Sequence, residues 1–262
     1  MDELNAIIRL LTWVDYLALA IFGICWVGYK QFLESGERGR KGLVGVSHEY
    51  RLQWALESAT RDIPVTCASL VSNLMHSVSF YASTTIYIIA GLFALVGTVD
   101  KIAVFTEELP FAHADGSVLI QLKLLLLIVI FVTAYFKFTW SLRQFNFLCI
   151  LIGGVPHERY MPDIETWKRS AKRMAKINSF AGNEFNRGIR AYYYGLAALA
   201  WFINPWLFIA STLWVTWIMY CRDFRSSAIK VLRDEFPPEI REPTYPFIKR
   251  ENVATNQTDA VE

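Results

Sequence analysis

From Ile63 to Val99 the chain carries no Asp, Glu, Lys or Arg. As one helix, a run of that length extends roughly 55 Å at about 1.5 Å per residue. The hydrocarbon core of a bilayer is only about 30 Å thick. The run therefore reads as a membrane helix that tilts or projects beyond the bilayer. Pro64, at its start, suits a first helical turn.

A second long apolar run, Val118 to Ile152, stops at Gly153-Gly154-Val155-Pro156. A short loop, 100–117, separates the two. This predicts two over-long antiparallel helices. A shorter run, Leu10 to Tyr29, is broken only by Asp15. Trp13, Tyr16, Trp26 and Tyr29 stand near its ends, where interfacial aromatics belong. Asp2 and Glu3 precede it where a secretory signal needs positive charge, so it reads as an uncleaved span. A fourth run, Ala191 to Tyr220, is interrupted by Asn204-Pro205. It is either one kinked span or a hairpin that turns back, and the kinked span is the reading adopted.

The predicted spans are thus 10–29, 63–99, 118–152 and 191–220. Hydrophobic residues make up 54% of the chain and charged ones 19%, below the roughly 25% usual in soluble domains. The expected fold class is all-α, a polytopic membrane helical bundle with about four membrane segments. Residues 1–235 form a single membrane domain, and 236–262 form a polar tail.

Two polar stretches lie between the spans. Residues 30–62 hold a Gly-rich turn (Gly36, Gly39, Gly42, Gly45) and a helix from about Ser47 to Thr60. In 163–190, Ile164, Trp167, Ala171, Met174, Ile177 and Ala181 recur at three- and four-residue steps. Lys168, Arg169, Lys172, Arg173 and Lys176 fill much of the remainder. This predicts a basic amphipathic cytoplasmic helix lying on protein or on anionic lipid headgroups. Its cations are not interleaved as a nucleic-acid surface requires.

Charge asymmetry orients the chain. Loop 30–62 has six Lys or Arg, loop 141–191 has nine, and loop 99–117 has only Lys101 against four acids. The positive-inside rule puts loops 30–62 and 153–190 in the cytoplasm and the N-terminus outside, with a bacterial inner membrane as the expected location. Residues 221–262 carry seven more Lys or Arg. Four spans would place that tail outside, against the rule.

The apolar runs contain polar residues of interest. Ser69, Ser72, His76, Ser79 and Ser83 follow helical spacing. Such a seam lets another helix approach closely and offers hydroxyls to bond across it. Counting depth from both runs puts Asn73 and His76 near Arg143 and Asn146, toward the cytoplasmic interface. The expectation is an interfacial polar cluster of these four residues, with no charge at mid-bilayer.

Other chemistry has little support. Cys25, Cys67, Cys149 and Cys221 are scattered and form no Cys-x-x-Cys pair. They read as buried hydrophobes. His48-Glu49 and His157-Glu158, with Glu57 and Asp62, lack a metal-ligand spacing. The Gly-rich stretch has no Walker pattern. No catalytic residue, metal or cofactor is predicted.

Several stretches carry a family resemblance. They are Phe80-Tyr81-Ala82-Ser83-Thr84, Phe138-Thr139-Trp140-Ser141-Leu142-Arg143-Gln144-Phe145-Asn146, Ile152-Gly153-Gly154-Val155-Pro156, Gly188-Ile189-Arg190-Ala191-Tyr192-Tyr193-Tyr194 and Trp201-Phe202-Ile203-Asn204-Pro205-Trp206. In order, and covering most of 10–235, they resemble the bacterial and plant membrane family called domain of unknown function 599. Asn204 stands where that pattern has a small residue. The resemblance implies a multi-span membrane protein with no established activity, so no catalytic role is carried over. The expected function is a structural or partner-binding membrane component that self-assembles or docks on a membrane partner. The alternative is an oligomeric channel or transporter using the polar seam.

Overall fold

The computed structural model of the chain describes residues 11–34, 39, 42–58, 64–100, 116–155 and 164–235, with no strand among them. Residues 101–115, Asp62, His157, Glu158 and the tail 236–262 lie outside this set. Six helices carry the fold: α1 (Trp13–Glu34), α2 (Leu43–Ser58), α3 (Pro64–Val96), α4 (Ser117–Gly153), α5 (Ile164–Leu199) and α6 (Pro205–Phe224). Of these, α1, α3 and α4 are long and apolar enough to cross a membrane.

The start of α1 explains its first-turn acid, Asp15. Thr12 donates its backbone N–H and hydroxyl to Asp15 Oδ2 at 2.9 and 2.6 Å, and Asp15 N–H returns a bond to Thr12 Oγ1 at 3.4 Å. This reciprocal pairing satisfies amides that a first turn leaves open.

The centre of the bundle is α4, which packs against both α3 and α5. Ile120, Leu124, Ala134, Phe138 and Leu148 are essentially inaccessible. On α3, Met75 meets Cys149 (sulfur to sulfur 4.0 Å) and Tyr81 meets Phe138 (centroids 5.6 Å apart). Small residues on α5 let α4 come close. Ser141 Oγ donates to Ala181 O at 2.7 Å, and the Phe138 and Phe131 rings lie directly over Gly188 and Gly195.

The main correction to the sequence reading concerns the last apolar run. Residues 163–190 and the span 191–220 were expected as separate units. Instead, α5 runs unbroken for 36 residues, through Arg190 and on to Leu199. The change from basic to apolar composition contains no proline, and Gly182 and Gly188 sit within the helix without ending it. The break comes at a 3-10 turn, Ala200–Phe202. Asn204, extended at φ −159° and ψ 138°, then caps α6 by accepting from Trp206 N–H at 2.9 Å, with Pro205 in the first helical position. Asn204-Pro205 is therefore a helix start, not a kink, because proline lacks only an amide hydrogen that this position leaves unused.

Helix α6 folds back along α5. Ser211 Oγ donates to Ala197 O at 3.0 Å, and Tyr194 Oη lies 3.2 Å from Thr216 Oγ1. Helix α1 leans on both: Tyr194 donates to Cys25 O at 2.9 Å, and Trp13 meets Trp206 edge-on at 6.1 Å. The short helix α2 covers the first half of α5, and Tyr50 donates to Leu232 O at 3.0 Å, near the end of the described chain.

One set of bonds levels these helices. Trp201 Nε1 donates to Asp15 Oδ1 at 2.8 Å, while Lys123 Nζ donates to Trp201 O at 2.7 Å. The first turn of α1, the second turn of α4 and the α5–α6 turn therefore meet toward one end of the bundle. With 22 and 20 residues, α1 and α6 are about 30–33 Å long. With 33 and 37 residues, α3 and α4 reach about 50–55 Å. Their excess emerges at the opposite end, beside α2 and the basic half of α5.

Candidate functional site

Ser69, Ser72, Asn73, His76, Ser79 and Ser83 are all exposed. The face that α3 turns inward carries Cys67, Val71, Val78, Ala82 and Thr85 instead. The polar seam thus points away from its own chain. Arg143 and Asn146 on α4 are exposed as well. The Met75–Cys149 contact puts His76 level with Asn146, yet no hydrogen bond or ion pair links Asn73, His76, Arg143 and Asn146 to one another among the described residues.

The sequence reading noted Asp15 only as a break in its run, and passed over Lys123. Asp15 and Lys123, each 2% exposed, bracket buried Trp201, and the Lys123 ammonium also sits 5.3 Å from the Trp201 ring centroid. A second lysine interrupts the apolar run of α4. Lys137, near the midpoint of α4, approaches Glu184 Oε2 at 2.9 Å, and Arg187 bonds the other oxygen. A carboxylate that is only 10% exposed needs such cations nearby. These groups clamp helices together.

The concave chemistry lies on α5. Lys172, Lys176, Ser179, Asn183, Asn186, Arg190 and Tyr193 recur in steps of four and three, which keeps them on one face. They line two adjoining clefts that share Val44 of α2 as a wall. The larger, about 600 Å³, runs from Leu33 to Lys172 and Asn183. There His48 Nδ1 lies 2.7 Å from Ser179 Oγ, and Asn183 Oδ1 is buried with no partner. The smaller, about 270 Å³, lies between α5 and α6 and carries Arg190, Arg222, Asp223 and Ser226. Arg222 bonds the Tyr193 hydroxyl, with its guanidinium carbon 5.5 Å from the ring centroid. Asp223 Oδ2 accepts from Tyr29 at 2.6 Å.

Close by, the Arg51 guanidinium presses on Gly182, where a Cβ would come within 2.3 Å of its nitrogen. Burial pushes this group below its ordinary value. The clefts are thus walled by four cations and one carboxylate, a lining suited to anions. The sequence reading singled out Lys172 and Lys176 for their charge but missed the stripe as a whole. The signal was its three-four spacing, which continues past the point where composition turns apolar.

Among the described residues no three His, Cys, Asp or Glu side chains gather as metal ligands would. His48 bonds Ser179, and its sequence neighbour Glu49 is exposed. No curated protein and no solved structure matches this chain. Residues 17–228, from within α1 to just past the end of α6, match the model described as Protein of unknown function, DUF599. The chain therefore belongs to the DUF599 family.

Proposed function

We propose that this chain is an integral membrane component that assembles with a second copy of itself through α3. The observation that carries the reading is the outward-facing seam. Helix α3 packs by one face only, and its Ser, Asn and His side chains are turned away from the protein. Small polar residues on an exposed membrane helix, as Ser79 and Ser83 are, favour a closely approaching partner helix, because lipid offers their hydrogen-bonding groups nothing. The excess length of the α3–α4 pair adds support. Leu70, Leu74, Phe147 and Ile150 are between 45% and 67% exposed, and they lie toward the end that overshoots a 30 Å core. Apolar surface beyond the bilayer is covered when copies associate.

In this reading the chain crosses a bacterial inner membrane five times, by α1, α3, α4, the second half of α5, and α6. The N-terminus is outside, and α2, the first half of α5 and the tail are cytoplasmic. With the chain turning back at 200–204, this reading puts Arg222, Arg225, Lys230 and Arg233 on the same side as Arg51, Lys168, Arg169, Lys172 and Arg173. That arrangement agrees with the positive-inside rule, which four spans violate.

Cysteine crosslinking tests the assembly. In a chain whose four native cysteines are replaced, Ser72→Cys and Ser79→Cys should give oxidant-dependent dimers in native membranes. Val129→Cys, exposed on α4, should not. Monomer bands at both seam positions, with a monomeric mass in mild detergent, would overturn the reading. A conduit lined by Ser72, His76 and Ser79 on the axis of such an assembly is the second reading. It requires ion flux into liposomes that His76→Ala abolishes while crosslinking persists.

A further inference from the structure

We infer that the paired cleft between α2, α5 and α6 is a binding site for a phosphate ester with a hydroxyl-bearing headgroup. The inference rests on the membrane orientation proposed above but not on self-assembly. Arg190 and Arg222 both line the smaller cleft, together with Asn186 and Ser226. Guanidinium groups present paired N–H donors that match phosphate oxygens. The bond to the Tyr193 hydroxyl holds Arg222 beside the cleft before any ligand arrives. Asp223 also lines this cleft, and the bond from Tyr29 occupies its Oδ2, which reduces its opposition to an anion. In the adjoining cleft, Lys172 and Lys176 extend the positive lining, and Asn183 Oδ1 is a buried oxygen that lacks a donor. A headgroup hydroxyl supplies that donor.

Position favours a lipid as the source of the phosphate. Tyr29, Phe32, Tyr220 and Phe224 cluster beside the cleft, with centroids 5.2–6.5 Å apart. They lie at the ends of α1 and α6, where aromatic side chains mark the headgroup level. Basic pockets between helices on the cytoplasmic side hold anionic headgroups by this chemistry. The apolar walls, Leu43, Val44, Ile189 and Met219, suit the upper part of an acyl chain.

The test uses the full-length chain, delipidated in detergent, with phosphatidylglycerol, phosphatidylcholine and inorganic phosphate as probes. Binding is read by native mass spectrometry and by the shift in melting temperature. Phosphatidylglycerol should bind at least about tenfold more tightly than phosphatidylcholine. Arg190→Gln with Arg222→Gln should remove that preference, a loss of about 1.4 kcal/mol or more. Arg222→Lys, which keeps charge but not the paired donors, should retain only part of it. Arg169→Gln with Arg173→Gln removes two exposed cations outside both clefts, and this variant should bind as the parent does. Competition by millimolar inorganic phosphate would uphold the site and make free phosphate its ligand, whereas failure to compete would uphold it with lipid as the source. Equal loss in the Arg169/Arg173 variant would overturn the inference, since the preference would then be general surface charge. So would a preference that survives in folded Arg190→Gln/Arg222→Gln protein. A chain that is monomeric yet binds selectively would refute self-assembly and leave this site standing.

Discussion

Replacing Gly188 by alanine should destabilise the protein, although alanine is the better helix former. Gly188 lies in the interior of α5, where the exchange alone is worth up to about 1 kcal/mol in favour of alanine. The added Cβ would sit 2.4, 2.7 and 2.8 Å from three atoms of the Phe138 ring. Carbon atoms normally rest about 3.5–4.0 Å apart, so something must move by about 1 Å. The ring has nowhere to go. Phe138 is fully buried, with Tyr81, Phe185 and Tyr192 packed around it at 5.6–5.7 Å between centroids. Overpacking of this kind costs about 1–3 kcal/mol, and a locked ring belongs at the upper end. The expected net loss is about 2 kcal/mol. At fixed scan rate and detergent that lowers the melting temperature by roughly 4–8 °C. Gly28→Ala is the internal control, because nothing lies within 4 Å of a Cβ there. It should be neutral or slightly stabilising. Combining Gly188→Ala with Phe138→Leu should recover part of the loss, since the smaller side chain vacates the contested space. A Gly188→Ala protein that melts at or above the parent would refute the close α4–α5 contact on which this reasoning rests.

Three further substitutions report on other contacts. Trp201→Phe removes the donor to buried Asp15 Oδ1 and should cost about 2 kcal/mol, visible as a lower melting temperature. Asn204→Ala removes the cap of α6 and should cost about 1 kcal/mol. A result indistinguishable from the parent would mean that the helix does not begin where the structure has it begin. Lys137→Met leaves Glu184 with Arg187 alone. Because the Lys137 side chain is 35% exposed, the expected loss is only about 1–2 kcal/mol, and adding Glu184→Gln should restore most of it.

Much of the helical layout was legible because long uncharged runs admit few alternatives. The starts and ends of α3 and α4 fall within a few residues of the expected ones. The division of the last run was not legible, for a physical reason. Asn204-Pro205 is the same dipeptide whether it kinks a span or opens a new helix, and only the direction of the following chain decides. The polar groups divide in a similar way. Spacing alone identified the seam from Ser69 to Ser83 as one face of a helix, but spacing cannot say which way that face points. Asp15 had a readable role in the Thr12-x-x-Asp15 pattern ahead of an apolar run. Lys123 and Glu184 did not, since their partners lie 78 residues away at Trp201 and 47 residues away at Lys137.

The hairpin of α5 and α6 also bears on how the chain enters a membrane. From Ala191 to Cys221 there is no Asp, Glu, Lys or Arg, and the segment that turns at the far side is only a few residues long, around Ala200 to Asn204. In the proposed orientation no charged loop has to be carried across for these last two crossings. The pair can insert from the cytoplasmic face as one folded unit, its backbone already hydrogen-bonded, while the basic half of α5 stays behind and sets how far it goes.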